Sequence, residues 1–417
     1  MDTRTRRRFL RASRVPRASA LADGARTVGL RRLLRSGVEQ PGQARRPVLV
    51  VVTLYGGNDG LSTVVPYTDG RYHDARAALA YDESEVLPLG EELGLNASMT
   101  GLHRLWRAGR LAVVRGVGYP DHDRSHFRSM DIWQSASPGR PKETGWLGRW
   151  LDTTDNDPLR AVSIGNVLPP MLVGDLTAGA AIPLAGLTRP PGIAQRTLAL
   201  LGEPGAQDPP VQAQVAASIG DLASLAAAVG EPLAAAAAGA AGDAGDAGDA
   251  QQGPGTVLLR PNALAEQLGI VATCIEARLV TQVYEVSLGG FDTHAAAKAA
   301  QTGLLGQVDQ AVSSFVDRLA GHEVDVTVMI YSEFGRRVRT NGSHGTDHGT
   351  AGPVLVAGTS VRGGFYGEQP DLADLDGEDL RSTTDFRSVY ATVLANVLGA
   401  DPRPILGGDH PAVPFLI

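Results

Sequence analysis

Four short stretches of this chain gather side chains that hold cations, anions or protons, each beside glycine or opening a turn. The first is Gly57-Asn58-Asp59-Gly60. Its carboxylate suits a metal ion or a hydroxyl group, and equally an Asx-type turn in which Asp59 only closes the local backbone. The second runs Asp121-His122-Asp123-Arg124-Ser125-His126-Phe127 and opens a helical pattern. Ser125 then lies near a helix amino terminus, where N–H groups and the helix dipole favour an alkoxide or a bound oxyanion. An ordinary N-cap serine would occupy the same place. Arg124 and His126 flank it and favour chemistry.

The third stretch, Gly289-Gly290-Phe291-Asp292-Thr293-His294, sets a carboxylate and an imidazole two residues apart. On extended backbone such residues face one side, so Asp292 and His294 can chelate one ion, with capping and surface roles as the alternative. The fourth is the densest: Ser332-Glu333-Phe334-Gly335-Arg336-Arg337, then Gly342-Ser343-His344-Gly345-Thr346-Asp347-His348-Gly349-Thr350. Glu333, Asp347 and His348 are candidate ligands, and the glycines allow backbone close to a ligand. His344 supports a ligand or is merely exposed. This mixture of Asp, Glu and His suits zinc, manganese or iron, and with more oxygen calcium or magnesium.

These stretches follow elements that can hold them at one edge. Residues 46–55 form a β-branched apolar run, the pattern of a strand buried on both faces. Further runs cover 111–117, 280–288 and 324–331, and helical patterns cover 100–108, 262–278, 304–319 and 385–398. The alternation predicts an α/β fold, a mostly parallel central sheet with helices on both faces, in which ligands gather at the carboxyl ends of the strands. Trp106, Trp133, Trp146 and Trp150 fall on helical patterns as packing residues. Cys274 lies in an apolar helix and reads as a buried, inert thiol. The Ala-rich segment near 226–255, with Gly-Asp-Ala three times over at 242–250, reads as a helix end and a flexible insertion.

The 417 residues, 43% hydrophobic and 20% charged, can bury a large core, which excludes wholesale disorder. No uncharged apolar run of about 18 residues appears, so no transmembrane segment is expected. Residues 1–46 carry thirteen Arg and three acids, a net of +10, leaving −17 on the remainder. The acidic body argues against a nucleic-acid partner and is compatible with bound divalent cations. A single cysteine excludes an internal disulfide and any Cys-rich zinc site. The leader segment Thr5-Arg6-Arg7-Arg8-Phe9-Leu10-Arg11 resembles a twin-arginine export signal, although charges and Pro16 interrupt the apolar region after it. The expected location is periplasmic or extracellular, or cytoplasmic if residues 1–46 are only a disordered basic arm.

Several of these motifs, in order, resemble the DUF1501 family, a domain of unknown function. They are Leu54-Tyr55-Gly56-Gly57-Asn58-Asp59-Gly60-Leu61, Arg124-Ser125-His126-Phe127, Asp131-Ile132-Trp133-Gln134, Gly145-Trp146-Leu147-Gly148-Arg149, Phe291-Asp292-Thr293-His294, Ser332-Glu333-Phe334-Gly335-Arg336 and Thr346-Asp347-His348-Gly349. The resemblance runs from about residue 47 to the end, as a single domain over 47–417. It implies an alkaline phosphatase-like fold with metal ions, usually two, at the carboxyl edge of the sheet. By position it implies Asp59 as a metal-binding aspartate, Ser125 as the nucleophile, Asp292 and His294 in one metal site, Glu333 near a second, and His348, with Asp347 adjacent, as a final ligand. Phe334 replaces an expected histidine there. Cys274-Ile275-Glu276-Ala277-Arg278 departs from the sulfatase motif at its third place, which argues against a formylglycine enzyme.

The expected function is a metal-dependent hydrolase of phosphate or sulfate esters, using one or two divalent ions. Ser125 or a metal-bound water is the nucleophile, and Arg124 or Arg336 clamps the transferring group. The alternative is a catalytically silent metal-binding or partner-binding protein of the cell envelope.

Overall fold

The structure, a computed structural model, describes residues 45–155, 157–183 and 262–417. Leader residues 1–44, with the twin-arginine motif, and the Ala-rich insertion lie outside the described residues.

Fourteen strands are found among the described residues: β1 (Val48–Leu54), β2 (Val64–Val65), β3 (Val86–Gly90), β4 (Leu93–Asn96), β5 (Leu111–Gly118), β6 (Ala161–Ile164), β7 (Ala180–Ile182), β8 (Val283–Leu288), β9 (Val326–Ser332), β10 (Gly352–Gly358), β11 (Gly364–Tyr366), β12 (Leu375–Asp376), β13 (Asp379–Leu380) and β14 (Thr384–Asp385). The helices that matter here are α1 (Gly60–Thr63), α2 (Gly70–Arg76), α3 (Thr100–Arg107), α4 (His126–Ser135), α5 (Trp146–Leu151), α6 (Ala263–Glu276), α7 (Ala297–Arg318), α8 (Phe386–Asn396) and α9 (Pro402–Leu406).

The central sheet runs β11-β5-β10-β9-β1-β8-β6-β7, with β14 beside β5. Its pairs are parallel except those made by β10, which is antiparallel to both β9 and β5. The fold is therefore α/β with a mostly parallel sheet. β10 differs because the chain leaves β9, makes a loop at the sheet edge and returns directly, with no helical crossover to restore the direction.

β1 sits near the middle and all seven of its residues are buried. Alternation sends Val48, Val50, Val52 and Leu54 toward the core under α3, α6 and α7, and Leu49 and Val51 toward the core under α4, α5, α8 and α9. Trp133, Trp146 and Trp150 fill the second core, with Trp133 stacked 4.8 Å from Tyr331. Trp106 packs 4.7 Å from Phe365 on the other side. Cys274 is buried in α6, and burial pushes its thiol up to about 12, so it is no nucleophile. Among the described residues no helix is long and apolar enough to cross a membrane.

The consequence of this topology is spatial. The carboxyl ends of β1, β5, β8 and β9 share one edge, because each is parallel to its neighbour or separated from it by the reversed β10. The four polar stretches follow those four ends.

Candidate metal centre

The loops at that edge are joined by one buried side chain, Arg336. Its Nε donates to the Gly57 carbonyl at 2.7 Å and its Nη1 to the Thr346 carbonyl at 2.9 Å. Its Nη2 donates to the carbonyls of Gly56 and Phe291 and to the Asp292 carboxylate, the last at 2.7 Å. Three loops far apart in sequence are thereby fixed to one planar guanidinium. Residues 335–350 fold back as an irregular hairpin, with Arg336 bridged to His348 and Arg337 N–H donating to the Asp347 carbonyl at 3.0 Å. Close approach explains two glycines. A Cβ on Gly57 would fall 2.3 Å from the Phe334 ring, and one on Gly345 2.1 Å from the His294 backbone.

Three ligand atoms, from His126, Asp292 and His348, converge above this scaffold, and His294 stands against two of them. His348 Nε2 lies 3.0 Å from His126 Nε2, 2.9 Å from His294 Nε2 and 3.1 Å from Asp292 Oδ1. Asp292 Oδ1 is 2.9 Å from His294 Nε2 and 3.4 Å from His126 Nε2. Ligands held about 2.0–2.1 Å from one ion stand at about these separations from one another.

The other ring nitrogens show why those Nε2 atoms can serve as ligands. His348 Nδ1 faces the Arg124 carbonyl at 2.8 Å, His126 Nδ1 faces Glu333 Oε1 at 2.7 Å, and His294 Nδ1 faces Asp347 Oδ1 at 3.4 Å. Carbonyl and carboxylate oxygens only accept, so each Nδ1 carries a hydrogen, which leaves each inward Nε2 as the nitrogen that can bind an ion. The donor set fits a divalent ion, and nitrogen-rich ligation favours zinc, iron or manganese over calcium or magnesium. Among the described residues His126, Asp292 and His348 form the one group of three such side chains whose ligand atoms all lie within 4.8 Å of one another.

Burial acts to raise the Asp292 carboxyl. The hydrogen bond from Arg336, with the Arg336 charge, leads the interactions that outweigh it and hold the group at about 2. Asp292 is therefore ionised at any ordinary pH. Phe334 is buried beneath the cluster, 4.8 Å from the His126 ring and 5.0 Å from the His348 ring. Where the resemblance implied a second ion near Glu333, the structure places an aromatic floor.

The candidates from the sequence divide into three groups. Asp292, His294 and His348 meet at the cluster. Glu333 and Asp347 stand behind His126 and His294 as acceptors for their Nδ1 hydrogens, so their place as direct ligands is corrected to support. Glu333 is buried and also accepts from Gly56 N–H at 2.9 Å; Asn341 Nδ2 donates to Asp347 at 3.1 Å, which leads the interactions lowering the Asp347 carboxyl below the usual range. Asp59 is elsewhere. It is fully buried, caps α1 through Leu61 N–H and Ser62, and pairs with the buried Arg76 of α2. Burial would raise its carboxyl, but Arg76 keeps it below the ordinary value. Its expected role as a metal ligand is thus replaced by an ion pair whose arginine also donates to the Arg337 carbonyl at 3.0 Å.

Arg336 is corrected likewise: its side chain is buried and bound to backbone carbonyls and Asp292, which makes it a tie between loops rather than a clamp on a substrate. Arg124 is half exposed but bound to the buried Asp379. Ser125 is exposed at the N-cap position of α4, which has no side-chain cap, and its N–H donates to Asp123 Oδ1 at 2.8 Å in the turn before the helix. Sequence reasoning treated His126 only as a neighbour of Ser125. The available signal was an imidazole two residues after Arg124 at the start of a helical pattern, and its partner Glu333 lies 207 residues away.

A family model described as "Protein of unknown function (DUF1501)" matches residues 113–408. No similar sequence was found among the curated proteins. Among solved structures, the chain is similar to a protein in the alkaline phosphatase superfamily from Vibrio parahaemolyticus, at 10% identity and a TM-score of 0.41, over 90% of this chain and 76% of that one. It is similar to the C-terminal periplasmic domain of EcEptC from Escherichia coli in complex with Zn, at 9% identity and a TM-score of 0.35, over 81% and 77%. A third is the soluble domain of lipooligosaccharide phosphoethanolamine transferase A from Neisseria meningitidis, at 10% identity and a TM-score of 0.38, over 89% and 92%.

Proposed function

The chain belongs to the DUF1501 family of proteins of unknown function, and from its cluster of three imidazoles and a carboxylate we propose that it is a metal-dependent hydrolase of phosphate or sulfate esters. The observation that carries this reading is the inward-facing set of His126, His294 and His348 Nε2 with Asp292 Oδ1, each ring locked from behind. A divalent cation held there supplies Lewis acidity toward an ester oxygen and lowers the pKa of water. The chain supplies the rest. Ser125, one residue before His126 at the amino end of α4, offers a hydroxyl or an anion-favouring N-terminus to the tetrahedral group. Hydrolysis adds the water oxygen to phosphorus or sulfur as the ester P–O or S–O bond breaks, and the departing alcohol takes up a proton.

Metal analysis of purified protein, with turnover of p-nitrophenyl phosphate, bis(p-nitrophenyl) phosphate and p-nitrophenyl sulfate, tests the proposal. Wild type is expected to hold about one ion and to hydrolyse at least one ester, and His348→Ala to lose both. Ser125→Ala separates a serine nucleophile from activated water. Bound metal with no turnover of any ester would favour the second reading, a catalytically silent metal-binding protein, which the internal commitment of Arg336 supports.

A further inference from the structure

Resting on that reading, we infer that the site accepts a monoanionic tetrahedral ester, a phosphodiester or a sulfate monoester, and discriminates against the dianion of a phosphate monoester. The charges around the cluster lead to this. Asp292, Glu333 and Asp347 bring three negative charges, and Arg336 one positive. One divalent ion brings that set to neutrality.

Two further cations at the edge are matched. Arg337 pairs with Glu378, and Arg124 with Asp379. Arg124 is the one placed to decide the matter, since it precedes Ser125 and its own carbonyl receives the His348 Nδ1 hydrogen. Asp379 holds it firmly. That carboxylate is 1% exposed, and its second oxygen, Oδ1, is buried with no hydrogen-bond partner. Turning Arg124 to an incoming anion would leave a buried charge with neither oxygen satisfied, which is strongly unfavourable. Arg124 thus stays paired and contributes little net charge. His122, beside it, is held down at about 4 by burial and then by the Arg124 charge, and so adds none near neutral pH.

A neutral site charged with a dianion must carry two uncompensated negative charges; with a monoanion it carries one, offset in part by the uncapped first-turn N–H groups at the amino terminus of α4, the flanking Asp123 carboxylate being taken up by Ser125 N–H. That terminus also favours an anion over an uncharged ester. Asp379 is in this sense a specificity-determining residue that touches no substrate.

Co2+-loaded protein gives a readout independent of turnover. Its visible spectrum, titrated at pH 8, is expected to report diethyl phosphate and ethyl sulfate binding at least tenfold more tightly than ethyl phosphate. The same order is expected for kcat/KM with the p-nitrophenyl esters, and p-nitrophenyl acetate should be the poorest substrate. Phosphate monoesters gain their second proton near pH 6. The ratio of ethyl phosphate to diethyl phosphate affinity should therefore rise as pH falls from 8 to 5.5, and a ratio cancels any change in metal occupancy. Asp379→Asn frees Arg124 and should move the pH 8 ratio toward the dianion by about tenfold. Equal or tighter dianion binding in the wild type, a ratio independent of pH, or preference for the acetate would overturn the inference while leaving the metal centre intact. Failure to bind Co2+ at all would instead overturn the proposed function, and this inference with it.

Discussion

Glu333 and Asp347 do the same task at different strengths, which makes them a controlled comparison. Each receives the Nδ1 hydrogen of an imidazole whose other nitrogen faces the ion. Glu333 does so at 2.7 Å while buried, and Asp347 at 3.4 Å while half exposed. A short contact away from water fixes ring orientation and basicity more than a long one in solvent. Glu333→Gln is expected to weaken metal affinity by about 10- to 100-fold, the usual effect of removing such a partner. Asp347→Asn should cost less than about tenfold on the same scale. Competition against a chromophoric chelator measures both, and equal losses would show that burial is not what gives the support its strength. The same comparison explains why single residues misled the sequence reading. Asp59 has the type and placement of a ligand, but its fate is set by Arg76, seventeen positions on and facing it inside the fold. Nothing in a glycine-flanked aspartate announces that partner.

At the scale of elements, β8 carries a test of its own. Glu285 sits on β8 between β1 and β6, in register with Val51 and Ser163, and is buried, its Oε2 accepting from Ser163 Oγ at 2.6 Å. Burial pushes its carboxyl from 4.5 up to about 7, with the Ser163 hydrogen bond acting the other way. Because the folded value lies above the unfolded one, the folded state binds this proton more tightly. The stabilisation is fully present below about pH 4.5 and is lost as pH rises through about 7. Glu285→Gln keeps the acceptor and removes the titration. Its stability advantage over wild type is expected to grow between those pH values by about 3 kcal/mol and then level off. Urea unfolding at several pH values measures the difference, and a constant offset would show that Glu285 does not titrate as its burial implies.

Elements also show what was legible. β1, β5, β8 and β9 were readable because strands covered on both faces must be continuous apolar runs. β10, which opens on Gly352-Pro353, and β6 and β7, of four and three residues, carry too little pattern to be separated from loops. The polar stretches were legible as a group because the carboxyl ends of parallel strands gather ligands. The division of labour inside them was not, since it depends on which imidazole nitrogen faces which oxygen.

For the molecule as a whole, the cluster is a clasp between distant parts of the chain. His126 opens α4, Asp292 and His294 follow β8, and His348 precedes β10, so an ion among them joins segments up to 222 residues apart. An unfolded chain cannot present these atoms together, and binding therefore stabilises the native state by mass action, about 2.7 kcal/mol at a free ion concentration a hundred times Kd. Thermal unfolding of full-length protein should shift upward by several degrees when zinc or manganese is added after chelation, a size that follows from a few kcal/mol over a large domain. His348→Ala should abolish the shift, because its Nε2 is the atom in contact with the other three ligands. Arg336 and the loops it ties remain in that variant, so its cooperative unfolding is expected to persist. An undiminished shift in His348→Ala would place the stabilising ion somewhere other than this cluster.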